Sequence, residues 1–88
     1  MEDWACERAE EAGWLVRKVQ WVGRRNAPDR LFAKDGRVVF IEFKRPGGKL
    51  LRGQPREIEA FRAAGVEVFV ADNPLAALRH LGVQYAPA

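Results

Sequence analysis

The stretch DRLFAKDGRVVFIEFK, residues 29–44, constrains the fold most. Two runs of apolar and β-branched residues are separated by Asp35-Gly36, and an Asp-Gly pair in that setting predicts a tight hairpin, because a type I′ turn needs positive φ at both central residues. A two-residue turn fixes the register. Lys34 then faces Arg37, Ala33 faces Val38, and paired numbers keep the same sum outward, so Asp29 lies opposite Glu42. Directly opposed residues share a face, with Cβ atoms about 4.5–5.5 Å apart. Lys44, two residues beyond Glu42, projects from that face too.

Other segments supply a frame for the hairpin. Residues 2–12 suit a helix stopped by Gly13, with Ala5, Ala9 and Ala12 as an apolar stripe. Extending the stripe one step back reaches Glu2, so either a carboxylate heads the inward face or Glu2 frays at the chain end. Residues 14–22, aromatic and β-branched, read as a strand, and 23–28 as a loop carrying Arg24 and Arg25. Residues 45–53 form a flexible basic connection.

A helix is expected over 54–64 with Pro55 in its first turn, and the spacing of Leu51, Gln54, Ile58, Phe61 and Gly65 aligns the Gln54 amide with apolar positions. Gln54 therefore either caps the helix or enters a site beneath it. Residues 66–71 alternate as a strand; Asp72-Asn73-Pro74 opens a last helix to Leu81, stopped by Gly82, and 83–85 could add a short final strand. The expected order is α-β-β-β-α-β-α, a mixed α/β sheet flanked by helices, in one domain spanning 1–88. The run from Val38 through the second helix to Val70 demands a parallel strand pair.

Composition narrows the function classes. The lone Cys6 excludes an intramolecular disulfide framework and a Cys-based zinc cage. No apolar run approaches the roughly 18 residues of a membrane helix, and Glu2 and Asp3 do not look like the start of a signal peptide, so the expectation is a soluble cytoplasmic protein of a bacterium or phage-infected cell. The net charge is only +3, yet residues 17–56 hold twelve Lys or Arg against three acids. That basic middle points to a polyanion. Arg24, Arg25, Arg45, Lys49, Arg52 and Arg56 lie in loops or at a helix start near the carboxylates, where phosphate contact is their expected role.

Opposed carboxylates repel unless a cation compensates them. Asp29 and Glu42, with a backbone carbonyl from Phe43 and waters, would suit Mg²⁺ or Mn²⁺. Such an ion polarises a phosphoryl oxygen and acidifies a bound water, while Lys44 positions that water or stabilises developing charge. The structural alternative is a surface ion cluster of little energetic weight. His80, far along the chain, reads as a surface residue; Trp4, Trp14 and Trp21 read as core or dimer contacts.

Pro28-Asp29 followed, after a hairpin, by Glu42-Phe43-Lys44 resembles the PD-(D/E)XK nuclease motif. GRRNAPDRLF, then VVFIEFKRPGGKL and Gln54 at a helix start, are similar to the VRR-NUC (virus-type replication-repair nuclease) family in particular. The resemblance runs from Glu2 to about Asn73. It implies a small restriction-endonuclease-like core, Asp29 and Glu42 as metal ligands, Lys44 as the catalytic lysine and Gln54 as a polar residue at the site's edge. The family's first helix brings a Glu into the site; Glu2 matches, with Glu7 and Glu10 as alternatives if the offset differs by a turn or two. The sequence departs from the family at Asn26-Ala27, which affects loop shape, and at Leu51-Arg52, which affects how the Gln54 helix is capped.

The expected function is metal-dependent endonucleolytic cleavage of DNA. A chain of 88 residues gains stability from a partner, and a two-fold dimer carries two symmetric sites suited to a four-way (Holliday) junction. Non-specific nicking, a non-catalytic DNA-binding subunit of the same fold, and an interaction protein using its acidic helix are the alternatives.

Overall fold

The hairpin forms as its sequence demands. In the computed structural model, which describes residues 2–85, Asp35 and Gly36 adopt φ of 50° and 81°, and strands β2 (Arg30–Lys34) and β3 (Arg37–Phe43) pair from Lys34↔Arg37 to Leu31↔Phe40. Asp35 is the one non-glycine residue with positive φ among the described residues, tolerated because a short polar side chain suits that conformation.

Strand β1 (Leu15–Lys18) adds antiparallel to β2, and β4 (Glu67–Ala71) adds parallel to β3, giving the order β1-β2-β3-β4. The parallel pair is the one expected from the intervening helix α2 (Gln54–Ala63). Helices α1 (Glu2–Glu11) and α3 (Pro74–Leu81) pack together on one face of the sheet. Ala5, Cys6, Ala9, Val16, Phe32, Val39, Ile41, Ala77 and Leu81 are buried there. Facing α2 is a smaller cluster of Phe40, Ile58 and Val68, with Trp21 and Phe61 against it. Alternation along β3 therefore sends Val39 and Ile41 to the α1/α3 side, and Phe40, with Glu42 two residues on, to the α2 side.

The element order is as expected, with three corrections. The first strand ends at Lys18 instead of running to Val22. Val19 still donates its N–H to the Asp29 carbonyl at 2.8 Å, and beyond it the chain leaves the sheet. Trp21 turns inward there, donating from Nε1 to the Pro28 carbonyl at 2.7 Å. Leu51 is 69% exposed instead of extending the apolar stripe of α2, because the helix begins only at Gln54; Leu50 packs inward in its place. No strand forms over 83–85. Asn73 caps α3, its side chain accepting from Ala76 N–H at 2.8 Å, and Gly82, at φ 72°, ends it.

Candidate active site

The carboxylates stand where β2 begins and β3 ends. The pairing that runs to Leu31↔Phe40, carried two residues further, brings Asp29 level with Glu42. Electrostatics agree with that proximity: the Glu42 pKa is pushed from 4.5 to about 6, first by burial and next by the Asp29 charge. Neither Asp29 nor Glu42 belongs to an ion pair among the described residues.

Of the two roles left open by its sequence position, Gln54, at the first position of α2, does not cap the helix and reaches Glu42 instead. Its Oε1 accepts from Leu51 N–H at 2.6 Å, closing the turn before the helix, and its Nε2 donates to Glu42 Oε1 at 2.6 Å. That bond favours the ionised carboxylate but does not outweigh burial and repulsion. The helix N-cap is Gly53, at φ 91°, without a side-chain cap.

Lys44 follows Glu42 on the same strand line, and its Nζ donates to the Gly48 carbonyl at 2.5 Å. Gly48 N–H donates in turn to the Arg45 carbonyl at 2.8 Å, a turn whose Pro46-Gly47 centre has the glycine at φ 71°. The connection read as flexible is thus fastened to the site at both ends, by Lys44 and by Gln54.

Of the three candidate glutamates on α1, Glu2 is the one beside the site. Arg30 donates to Glu2 Oε2, and the Glu2 charge contributes to raising the Glu42 pKa. Glu7 and Glu10 are exposed further along the helix. Arg30 itself was not singled out from the sequence, although the alternation that turns Asp29 and Leu31 one way turns Arg30 the other, toward α1.

The basic residues divide. Arg24 reaches across to Glu57 in the first turn of α2, Nη2 to Oε2 at 2.6 Å, tying the 23–28 loop to that helix. Arg25, Arg45, Lys49, Arg52 and Arg56 are exposed and belong to no ion pair among the described residues. His80, expected at the surface, is partly buried and stacks on Phe69 with ring centroids 4.2 Å apart. Trp14 is buried, Trp21 packs between Phe40 and Phe61, and Trp4 meets Tyr85 edge-on.

Two unpaired carboxylate oxygen donors suit a hard divalent cation that keeps several waters. Among the described residues no three His, Cys, Asp or Glu side chains gather into a cage, so the donor set suits a largely hydrated ion such as Mg²⁺ or Mn²⁺ and not a fully chelated one. A cleft of about 560 Å³, lined by Trp14, Lys34, Arg37 and Leu81, lies at the hairpin end, away from the carboxylates. At the candidate site Asp29 is exposed, and Glu42, Lys44 and Gln54 are partly buried.

No family model matches the chain. The chain is similar to "Putative nuclease p44" of Acyrthosiphon pisum secondary endosymbiont phage 1, 35% identical over 74 residues that cover 83% of this chain and 80% of that protein. It is also similar to a solved VRR_NUC domain, at a TM-score of 0.82 and 36% identity, covering 96% of this chain and 92% of that one. Both likenesses span the PD–hairpin–ExK arrangement, and the chain belongs to the VRR-NUC family of nucleases.

Proposed function

We propose that the protein is a Mg²⁺- or Mn²⁺-dependent DNA endonuclease in which Asp29 and Glu42, with the Phe43 carbonyl, hold the ion. The observation carrying this reading is the half-buried Glu42 feeling the Asp29 charge, with no protein cation paired to either among the described residues, and Lys44 two residues on. When bound, the ion supplies an acidified water and polarises the scissile phosphate. Hydrolysis adds that water across one P–O ester bond, leaving a phosphate on one end and a hydroxyl on the other. Lys44, a compact ammonium with three donors, stabilises the charge gathering on the phosphate oxygens once it exchanges Gly48 for substrate. Gln54 orients the Glu42 carboxylate. Arg25, Arg45, Lys49, Arg52 and Arg56 contact backbone phosphates.

The assembly we propose is a homodimer acting on four-way junctions, with non-specific nicking as the rival. Support comes from an uncovered row on the α2 side of the sheet, where Leu15, Ala33 and Val38 pair side by side and Leu15 and Val38 are each 47% exposed. Plasmid cleavage with Mg²⁺ or Mn²⁺ that stops with chelator and in Lys44→Ala tests the chemistry. A Lys44→Ala variant that folds and cuts at the native rate would overturn it. Light scattering giving a 10 kDa species, or equal rates on linear duplex and junction, would overturn the assembly and substrate reading.

A further inference from the structure

Arg30 opens β2 directly after Asp29 and turns to the α1 side of the sheet. There its Nε and Nη2 both approach Oε2 of Glu2, at 2.8 and 2.5 Å. The side chains are 17% and 35% exposed, the most enclosed ion pair among the described residues. Both contacts use one carboxylate oxygen, and Glu2 Oε1 has no hydrogen bond among those described. The pair joins the first turn of α1 to the strand that carries Asp29. The Asp29 charge acts on Arg30 and the Glu2 charge acts on Glu42, so all four side chains share one electrostatic neighbourhood.

A partly exposed ion pair contributes little to folding, which makes its location its distinguishing property. We infer that Arg30 is a positioning residue: it grips Glu2 by one oxygen and leaves the other to hold a water of the divalent ion bound by Asp29 and Glu42. This rests on the metal-site reading above. Its sign is opposite to the simplest electrostatic expectation, since removing a nearby positive charge should by itself favour a cation. Positioning requires that removing Arg30 weaken the ion instead, and only while Glu2 is present.

Calorimetry of Mn²⁺ binding to the full chain without DNA measures this. Arg30→Met should lower Mn²⁺ affinity about tenfold, at the low end for outer-shell partners of a metal site. Arg30→Lys, keeping one charged donor, should recover most of the loss. In a Glu2→Gln background Arg30→Met should change nothing further. Equal or tighter Mn²⁺ binding by folded Arg30→Met, or the same fall in both backgrounds, overturns the role. If Arg30→Met does not fold, Arg30→Gln, which also removes the charged grip, carries the test, and an affinity at or above the native value overturns the proposal. The Asp29→Asn, Glu42→Gln double variant tests the underlying reading separately: Mn²⁺ binding that survives there removes the metal site, whereas loss there with no effect of Arg30 removes the positioning role alone.

Discussion

Gln54 Nε2 lies 2.6 Å from Glu42 Oε1, so the first side chain of α2 is bonded to the carboxylate that ends β3. The same amide holds the Leu51 N–H. One neutral residue thereby couples a helix start, the basic 45–53 connection and a candidate metal ligand. An amide is suited to this place because it both donates and accepts, and it brings no charge to a pair of carboxylates already in repulsion.

Removing that bond should be visible in the pH dependence of cleavage. The Gln54 bond lowers the Glu42 pKa against burial and the Asp29 charge, so Gln54→Ala should raise it further. At sub-saturating Mn²⁺, where the ion must first bind the metal-free carboxylate, the acid limb of the rate profile should move to higher pH by up to about one unit. An unchanged acid limb with reduced rate at all pH values would assign Gln54 to closing the turn before α2 alone.

The raised Glu42 pKa also predicts the stability of the metal-free protein. Below pH 4.5 the carboxyl is protonated in both folded and unfolded chains and contributes nothing. Between 4.5 and about 6 the unfolded chain ionises first, so stability falls as pH rises and stays lower above 6. The full shift corresponds to about 2 kcal/mol, and half-exposure of the group reduces the expected loss to about 1 kcal/mol. Glu42→Gln should lack this loss, so its stability relative to the native chain should improve from pH 4.5 to 7 in urea melts with chelator. A pH-independent difference would contradict the assignment. Added Mn²⁺ should reverse the order at pH 7, because only the native pair gains from mass action.

What was legible in the sequence is what short-range chemistry encodes. Asp35-Gly36 dictated a turn, and the turn dictated the register seen from Lys34↔Arg37 to Leu31↔Phe40. Pro74 and Gly82 bounded α3 by the same kind of local rule. The end of β1 required knowing that Trp21 would turn to the Pro28 carbonyl, a partner 7 residues away in sequence across a loop. Leu51 was misplaced because periodicity alone does not say where a helix starts. Arg24 and Arg30 were harder still. Their partners, Glu57 and Glu2, lie 33 and 28 residues away, and no pattern around an arginine distinguishes one that will meet a phosphate from one already committed to a carboxylate.

That division among the arginines predicts different salt dependences for DNA binding. A free cation that neutralises one phosphate contributes about 0.9 to the slope of log affinity against log salt. Arg25→Ala should flatten the slope by nearly that amount and weaken binding for every sequence alike. Arg24→Ala should flatten it less, since Glu57 already compensates the guanidinium. Filter binding over 50–200 mM salt measures both. A larger effect from Arg24 would mean that DNA displaces Glu57 and takes the guanidinium for itself.

The glycine before α2 gives the last prediction, because it connects two loops that the sequence treats separately. Gly53 sits at φ 91°, and a Cβ built there would come within 2.5 Å of Asn26 Nδ2. Gly53→Ala therefore has two costs: a left-handed backbone, about 1–3 kcal/mol, and displacement of Asn26 in the loop that leads through Pro28 to Asp29. The first cost belongs to stability. The second belongs to the site, since moving that loop moves Asp29, the proposed ligand at its end. Gly53→Ala should lower the melting temperature and also weaken Mn²⁺ binding in calorimetry. Adding Asn26→Ala removes the close contact but not the backbone strain, so the double variant should regain Mn²⁺ affinity while remaining less stable than the native chain. Recovery of both properties together would show that the clash alone mattered, and recovery of neither would show that Asn26 does not transmit the change to Asp29.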